Sequence, residues 1–283
     1  MPARQAMISI LSIAFNQRKY TEMLLASLAR PECADLAFKL IFIDNGSTDS
    51  TRELVHKYRL DVNPNFKGLI YFAFPENRGV AAAVNRGFKL AETEYVLQAD
   101  NDVVFGPRSL SCLIEWMHLH PGSLVSPNWP WIQKKLGTTF FRSPADLTPA
   151  KMKKLEKTGF KARLETHRAT GSCWLSSREL FERVGGWDEG FRNICASDDF
   201  AWKVAVSGAE RYTIPSPVYH PGKITRGQMP RSSEQQEKDV MRFVEKWGGH
   251  PEDKSRLRAL QIEAGLEPDP RPRKFWNVWR REP

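Results

Sequence analysis

The sequence predicts an α/β fold in which a mostly parallel sheet is flanked by helices and followed by a C-terminal helical extension. Three observations lead there. From Met7 to Asp102, apolar runs of strand length alternate with segments whose apolar residues recur at helical spacing, the pattern of βαβ units. Two of those runs break into acidic segments, Asp44–Asp49 and Asp100–Asp102, at the strand ends where such sheets bind ligands. With 283 residues, 41% of them hydrophobic, the chain can bury one sizeable core with appendages rather than two full domains.

The elements follow in order. Residues 7–15 read as an apolar strand and about Tyr20 to Ala29 as a helix. A second strand, Phe38 to Ile43, ends at Asp44, and a helix runs from Ser50 to Tyr58 with Asp49 or Ser50 as its N-cap. Leu69 to Phe74 is a strand, Val80 to Ala91 a helix, and Tyr95 to Ala99 a short strand that breaks into Asp100-Asn101-Asp102. A helix over Pro107–His120 and a strand over Ser123–Ser126 come next. The alternation then fails: residues 127–168 hold Trp129-Pro130-Trp131 and a basic helical segment opened by Thr148-Pro149, an insertion over the sheet edge. Regular structure resumes with a strand over Ser172–Ser176, helices over Arg178–Val184 and about Asp198–Ser207, and a strand over Tyr212–Ile214. Residues 1–225 thus form the main domain. Residues 226–283 add a helix opened by a capping box at Ser232 and ended after Trp247, then a Pro-rich basic tail.

Composition narrows the class. A 27% share of charged residues with 11% aromatics reads as folded, and no apolar run approaches the roughly 18 residues that span a bilayer. The run Met7–Phe15 lacks a signal-peptide cleavage site and reads as a buried strand, so the chain is expected in the cytoplasm. Cys33, Cys112, Cys173 and Cys195 are scattered and read as reduced thiols packed as small apolar groups. The net charge of +9 favours anionic partners: nucleotide diphosphates, acidic lipid headgroups or nucleic acid.

Candidate chemistry begins at Asp100-Asn101-Asp102. At i and i+2 of an extended segment, the two carboxylates face the same way and can share one hard divalent cation, which takes oxygen ligands and combines them with substrate phosphates. Asp44 ends a buried strand and can accept from a base or ribose, while Gly46 lets the backbone turn sharply. Small residues after Gly79 open a helix whose N-terminus suits a phosphate or nucleoside. No Gly-x-Gly-x-x-Gly follows the first strand and no P-loop exists, which counts against dinucleotide dehydrogenases and P-loop NTPases. Ser197-Asp198-Asp199 opens a helix; one carboxylate serves as cap and the other as a base. His220, after the last strand, offers an imidazole to a cation already held by carboxylates.

Taken together these segments resemble the inverting family 2 glycosyltransferases with the Rossmann-like glycosyltransferase A (GT-A) fold, over about Met7 to Thr225. The matching segments come in the family's order: Ser9 to Asn16, Phe42 to Asp49, Glu76 to Gly79 with Asn85-Arg86-Gly87, Gln98 to Asp102, Thr170-Gly171-Ser172, Val184 to Glu189, Ser197 to Phe200, and His220. The resemblance implies that Phe15, Asn16 and Asp44 line a nucleoside pocket closed by Gly79 and Asn85. Asp100 and Asn101 would lie along the donor, Asp100 at ribose or the cation, and Asp102 with His220 would hold Mn2+ or Mg2+ against the diphosphate. Trp187, Asp188 and Glu189 would shape the sugar and acceptor end, and Asp198 or Asp199 would deprotonate the acceptor hydroxyl. The donor implied is a nucleotide-sugar, UDP-sugar first.

Two departures stand out. The family shows Glu-Asp-x-Asp where this chain has Ser197-Asp198-Asp199; counting back from Gly208 puts Ser197 at the usual base, whereas motif shape favours Asp198. The insertion at 127–168 has no clear counterpart, so the acceptor stays open among glycan, lipid-linked saccharide, protein and modified nucleic acid. Two other readings stand beside the resemblance. One is a nucleotidyltransferase. The other is a basic nucleic-acid or membrane-surface binding protein without catalysis, resting on residues 151–163 and on the tail Arg271–Arg281, where basic and aromatic residues interleave.

Overall fold

The computed structural model describes residues 7–166, 171–192, 194–221 and 233–267. Thr170, Ser232 and the basic tail, all singled out by the sequence, lie outside the described residues. The first half follows the predicted alternation: β1 (Ile8–Ala14), α1 (Arg18–Leu28), β2 (Phe38–Asp44), α2 (Thr51–Lys57), β3 (Phe66–Ala73), α3 (Val80–Leu90) and β4 (Tyr95–Asp100). These are followed by β5 (Val104–Phe105), α4 (Ser109–Leu119), β6 (Leu124–Pro127), α5 (Trp129–Leu136), α6 (Pro149–Gly159) and β7 (Glu165–Thr166). The chain continues through β8 (Cys173–Ser177), α7 (Arg178–Arg183), α8 (Ala196–Val206), β9 (Arg211–Ile214), β10 (Val218–Tyr219), α9 (Ser233–Trp247) and α10 (Lys254–Glu263).

An eight-stranded sheet runs in the order β3-β2-β1-β4-β8-β6-β9-β7. Its first four strands are parallel; β8 then pairs antiparallel with both β4 and β6, β6 runs parallel to β9, and β7 closes the edge antiparallel to β9. β5 and β10 form a separate antiparallel ribbon. Both faces of the parallel half are covered. Ile8, Ile10, Leu40, Phe42 and Leu97 pack into one buried cluster, whereas Leu11, Ile13, Ile41, Ile43 and Val96 pack into the other. Each such side chain, removed from water, contributes about 2 kcal/mol. In β1, β2 and β4 the pleat alternates faces while neither face meets solvent, which is why these strands read as continuous apolar runs; β3, at the sheet edge, is only half-buried.

Local chemistry fixes the element ends. Ser50 holds the N-cap position of α2 without a side-chain bond, and Asp49 supplies it instead: its Oδ1 accepts from the Thr51 amide at 3.1 Å while Oδ2 accepts from the Arg18 amide at 3.0 Å, so one carboxylate serves the starts of two helices. Thr148 caps α6 with Pro149 behind it, as the sequence predicts. Within the insertion Asn128 caps α5, which the sequence reading left unassigned, and β7 adds the outermost strand. α3 lies unusually close to β1, because a Cβ on Gly87 would fall 2.1 Å from Cδ1 of Leu11. α9 and α10 are not detached appendages: Phe243, Leu257 and Leu260 pack into the same cluster as Phe200 and Trp202 of α8. All four cysteines are buried thiols, none of them in a disulfide, and burial pushes each above its ordinary range.

Candidate active site

The site forms where the parallel strands end. Ala14 pairs with Asp44 and Ile13 with Asp100, so register alone places both aspartates on one edge of the sheet. Asp44 is buried; its Oδ1 accepts from the Ser47 amide at 2.7 Å and its Oδ2 from the Tyr71 hydroxyl at 2.7 Å. Phe15, which follows Ala14, is half-buried, and Asn16 and Gln17 both take left-handed conformations, at φ 58 and 67. The Asn16 side chain accepts from the Thr48 amide at 2.8 Å, and its own amide donates to Ser47 Oγ at 2.8 Å. Asn16 thus holds the loop after β2 against the end of β1.

Asn45, which the sequence reading passed over, locks the next loop. Its amide donates to Asn77 Oδ1 and to the Gly79 carbonyl, and its Oδ1 accepts from the Arg78 amide at 2.9 Å. The two loops can touch because position 46 carries no side chain: φ is +83, and a Cβ would fall 2.5 Å from the Glu76 carbonyl carbon. Gly79, at φ +85, then starts α3.

Two expected donor-facing side chains are engaged elsewhere. The Asn85 amide donates to the Trp187 carbonyl at 2.9 Å and to Glu189 Oε1 at 2.8 Å, while its Oδ1 accepts from the Trp187 amide at 2.9 Å. It docks the 187–189 loop onto α3. Asn101 is buried and donates to Thr21 Oγ1 at 2.9 Å, tying β4 to α1. Both positions keep their amides satisfied by backbone or hydroxyl groups of the fold itself.

Asp100, Asp102 and His220 converge, with one ligand atom of each lying within 4.8 Å of the others. His220 Nε2 sits 3.0 Å from Asp102 Oδ1 as an ion-pair contact. Asp102 Oδ1 and His220 Nδ1 are buried with no hydrogen-bond partner among the described residues. Leaving buried polar atoms unpaired costs about 1–3 kcal/mol each. Burial first, and the Asp102 carboxylate second, push the pKa of Asp100 up to about 7; His220 and the amide of Gln98, which donates at 2.8 Å, pull the other way. Burial opposes charging of His220, but Asp102 and Asp100 outweigh it and raise its pKa above the ordinary value. Two close carboxylates, an imidazole and an orphaned oxygen fit a hard divalent cation. Trp129 packs edge-on against His220, centroid to centroid 4.5 Å, so the insertion walls this side of the site. Gln98 was the legible omission, since it shares a strand face with Asp100 at i−2.

The paired acids of α8 have different surroundings. Asp199 is fully buried: its Oδ1 accepts from Trp247 Nε1 at 2.8 Å and meets Lys246 Nζ at 2.8 Å, with Lys203 Nζ 3.5 Å from Oδ2. Asp198 is exposed and lines a cleft with Gly171, Trp174, Trp187, Ser197 and Phe200. Asp188 turns away from that cleft to α9, where Arg242 and Lys246 reach it at 2.8 and 3.0 Å. Burial raises its pKa, but Lys246, the Gly190 amide and Arg242 together outweigh burial and hold it at about 2. Lys246 and Trp247 carried no signal in the sequence, because they lie almost 50 residues from the carboxylate they serve.

Known proteins resemble this chain in sequence and in fold. The chain is 33% identical over 117 residues to the poly(ribitol-phosphate) beta-N-acetylglucosaminyltransferase TarS of Staphylococcus aureus (strain Mu50 / ATCC 700699), which is 41% of this chain and 20% of that protein. It is 29% identical over 119 residues to the validoxylamine A glucosyltransferase of Streptomyces hygroscopicus subsp. limoneus, 40% of this chain and 25% of that one. The matches thus span a quarter or less of the length of these relatives. Among solved structures, the mannosyltransferase PcManGT from Pyrobaculum calidifontis in complex with GDP-Man and Mn2+ superposes with a TM-score of 0.60 at 21% identity, covering 93% of this chain and 75% of that one. S. aureus TarS in complex with UDP-GlcNAc gives 0.59 at 17% identity, covering 91% and 71%. These likenesses establish the GT-A fold. The family model described as Glycosyl transferase family 2 matches residues 9–185, well over half of the sequence, and the chain belongs to that family.

Proposed function

We propose that this chain is a metal-dependent inverting glycosyltransferase that moves a sugar from a nucleotide-sugar, UDP-sugar first, to an acceptor hydroxyl. The observation that carries the reading is the division of labour among the acids. Asp100, Asp102 and His220 converge, the latter two with buried atoms that lack hydrogen-bond partners among the described residues, whereas the charge of Asp199 is balanced by two lysines and an indole. Asp198 remains at the cleft. Asp102, His220 and Asp100 would hold Mn2+ or Mg2+, which when bound supplies positive charge to a departing diphosphate.

The chain's own groups do the rest. The loops held by Asn16, Asp44 and Asn45 receive the nucleoside, with Phe15 and Gly79 at the pocket's rim. Asp198 takes the proton of the acceptor hydroxyl, which attacks the anomeric carbon on the face opposite the leaving group, so configuration inverts. Trp187 walls the acceptor cleft, while Asp188 and Glu189 fix the loop that carries it. The TarS complex with UDP-GlcNAc and the PcManGT complex with GDP-Man support a nucleotide-sugar donor and make UDP-GlcNAc, UDP-glucose and GDP-mannose the first to test. Among the described residues no helix is long and apolar enough to cross a membrane. We place the enzyme in the cytoplasm, with the basic tail and the insertion facing an acidic surface or acceptor.

The test is a panel of NDP-sugars incubated with Mn2+ and scored for NDP release, followed by NMR of the product's anomeric configuration. NDP release with inversion supports the reading. Pyrophosphate release from an NTP, or no turnover of any NDP-sugar, overturns it.

A further inference from the structure

α9 lies beyond the residues that the family model matches, yet its inner face packs on α8 and on the segment that leads into it. Asp239, buried at 1% exposure, accepts from the Arg192 amide at 3.2 Å through Oδ1 and from the Ile194 amide at 2.9 Å through Oδ2. One turn on, Arg242 meets Asp188, and Phe243 packs edge-on against Trp202 at 4.9 Å between centroids. A further turn on, Lys246 bridges Asp188 and Asp199 while Trp247 donates to Asp199. Positions 239, 242, 243, 246 and 247 follow the i, i+3, i+4, i+7, i+8 spacing of one helical stripe.

The segment so held ends at Cys195, which stands in the left-handed region at φ 64 and caps α8. A non-glycine residue there costs about 1–2 kcal/mol and persists only where its surroundings fix it. Asp239 fixes the backbone immediately before it, at 192 and 194. The turn at Cys195 then sets the direction of the first turn of α8, which carries Asp198 to the cleft. Asp239 is itself absent from the cleft lining.

We propose that Asp239 is a positioning residue for Asp198: by accepting from both amides it sets the entry angle of α8 and so aims the base at the acceptor. The inference rests on the transferase reading. Its test uses the full chain with Mn2+ and UDP-glucose or UDP-GlcNAc, with water taking the acceptor's place and released UDP measured. Asp239→Asn keeps the shape but replaces one accepting oxygen by a donating NH2, so one backbone amide loses its acceptor. The expected result is a 10- to 100-fold fall in kcat with KM, and the Kd of UDP with Mn2+, within twofold of wild type. Should this variant fail to fold, Arg242→Gln replaces a half-exposed side chain and is expected to lower kcat 3- to 10-fold at unchanged KM. Wild-type kcat in the variants, or UDP affinity falling in step with kcat, overturns the assignment.

Hydrogen exchange separates this failure from that of the parent reading. In Asp239→Asn, amides between 192 and 199 are expected to exchange at least tenfold faster while β1 to β4 stay protected. If wild type turns over none of the NDP-sugars, the transferase reading fails and the brace is judged by exchange alone. Unchanged exchange at 192–199 overturns it.

Discussion

The indole Nε1 of Trp247 donates to Oδ1 of Asp199 across 2.8 Å, joining the last residue of α9 to a carboxylate buried in the first turn of α8. With Lys246 and Lys203 beside it, Asp199 is balanced within the fold. Its neighbour Asp198 faces the cleft.

The two acids should therefore separate by experiment. Asp198→Asn is expected to lower turnover about a thousandfold while unfolding by urea as wild type does. Asp199→Asn leaves Lys203 without its anion and Lys246 with Asp188 alone, and should cost about 3 kcal/mol of stability. A stable, inactive Asp199→Asn protein would reverse the two roles.

Asp102 carries the cation prediction. Wild type should be stabilised by Mn2+ with UDP, by about 2.7 kcal/mol at a hundredfold excess over Kd. Asp102→Ala is expected to lose that gain, and EDTA should abolish it in wild type. A thermal shift that survives both treatments would place the cation elsewhere.

Asp188 sets an acid limit. Its folded pKa of about 2 lies below the ordinary 3.8, so the native state binds fewer protons than the unfolded chain between those values. The stability it contributes, about 2 kcal/mol, is present above pH 4 and is lost as pH falls toward 2. Urea midpoints taken from pH 5 to 2.5 should drop more steeply for wild type than for Asp188→Asn. Parallel profiles would show that the ion pairs contribute nothing.

Asn85 distinguishes docking from ligand contact. Asn85→Ala removes three hydrogen bonds to the 187–189 loop and should cost about 2–3 kcal/mol. The Kd for UDP with Mn2+ should stay within about twofold, because this side chain faces Trp187 and Glu189 rather than the pocket. A tenfold loss of UDP affinity in a folded variant would return Asn85 to the nucleoside.

The parallel half of the sheet was legible because burial on both faces leaves unbroken apolar runs, and the acids at the ends of β2 and β4 were legible because their neighbours in sequence are their neighbours in space. The reversal at β8 was not, since local periodicity carries no record of strand direction. Nor was the β5–β10 ribbon, whose strands are two residues long. Among site residues, Asp100, Asp102 and His220 converge as the sequence suggested. The contacts that Asn85 and Asn101 make were not legible, because their partners, Trp187 and Thr21, lie 102 and 80 positions away. The same distance hid Asp239 and Trp247.

The sealed cysteines have a practical consequence. A thiol reagent can reach Cys33, Cys112, Cys173 or Cys195 only when the structure around it opens. Each native thiol is thus a clock for breathing of its own region. Cys195, three residues before Asp198, would time the opening of the α8 entry against Cys33 behind α1, with no label to install.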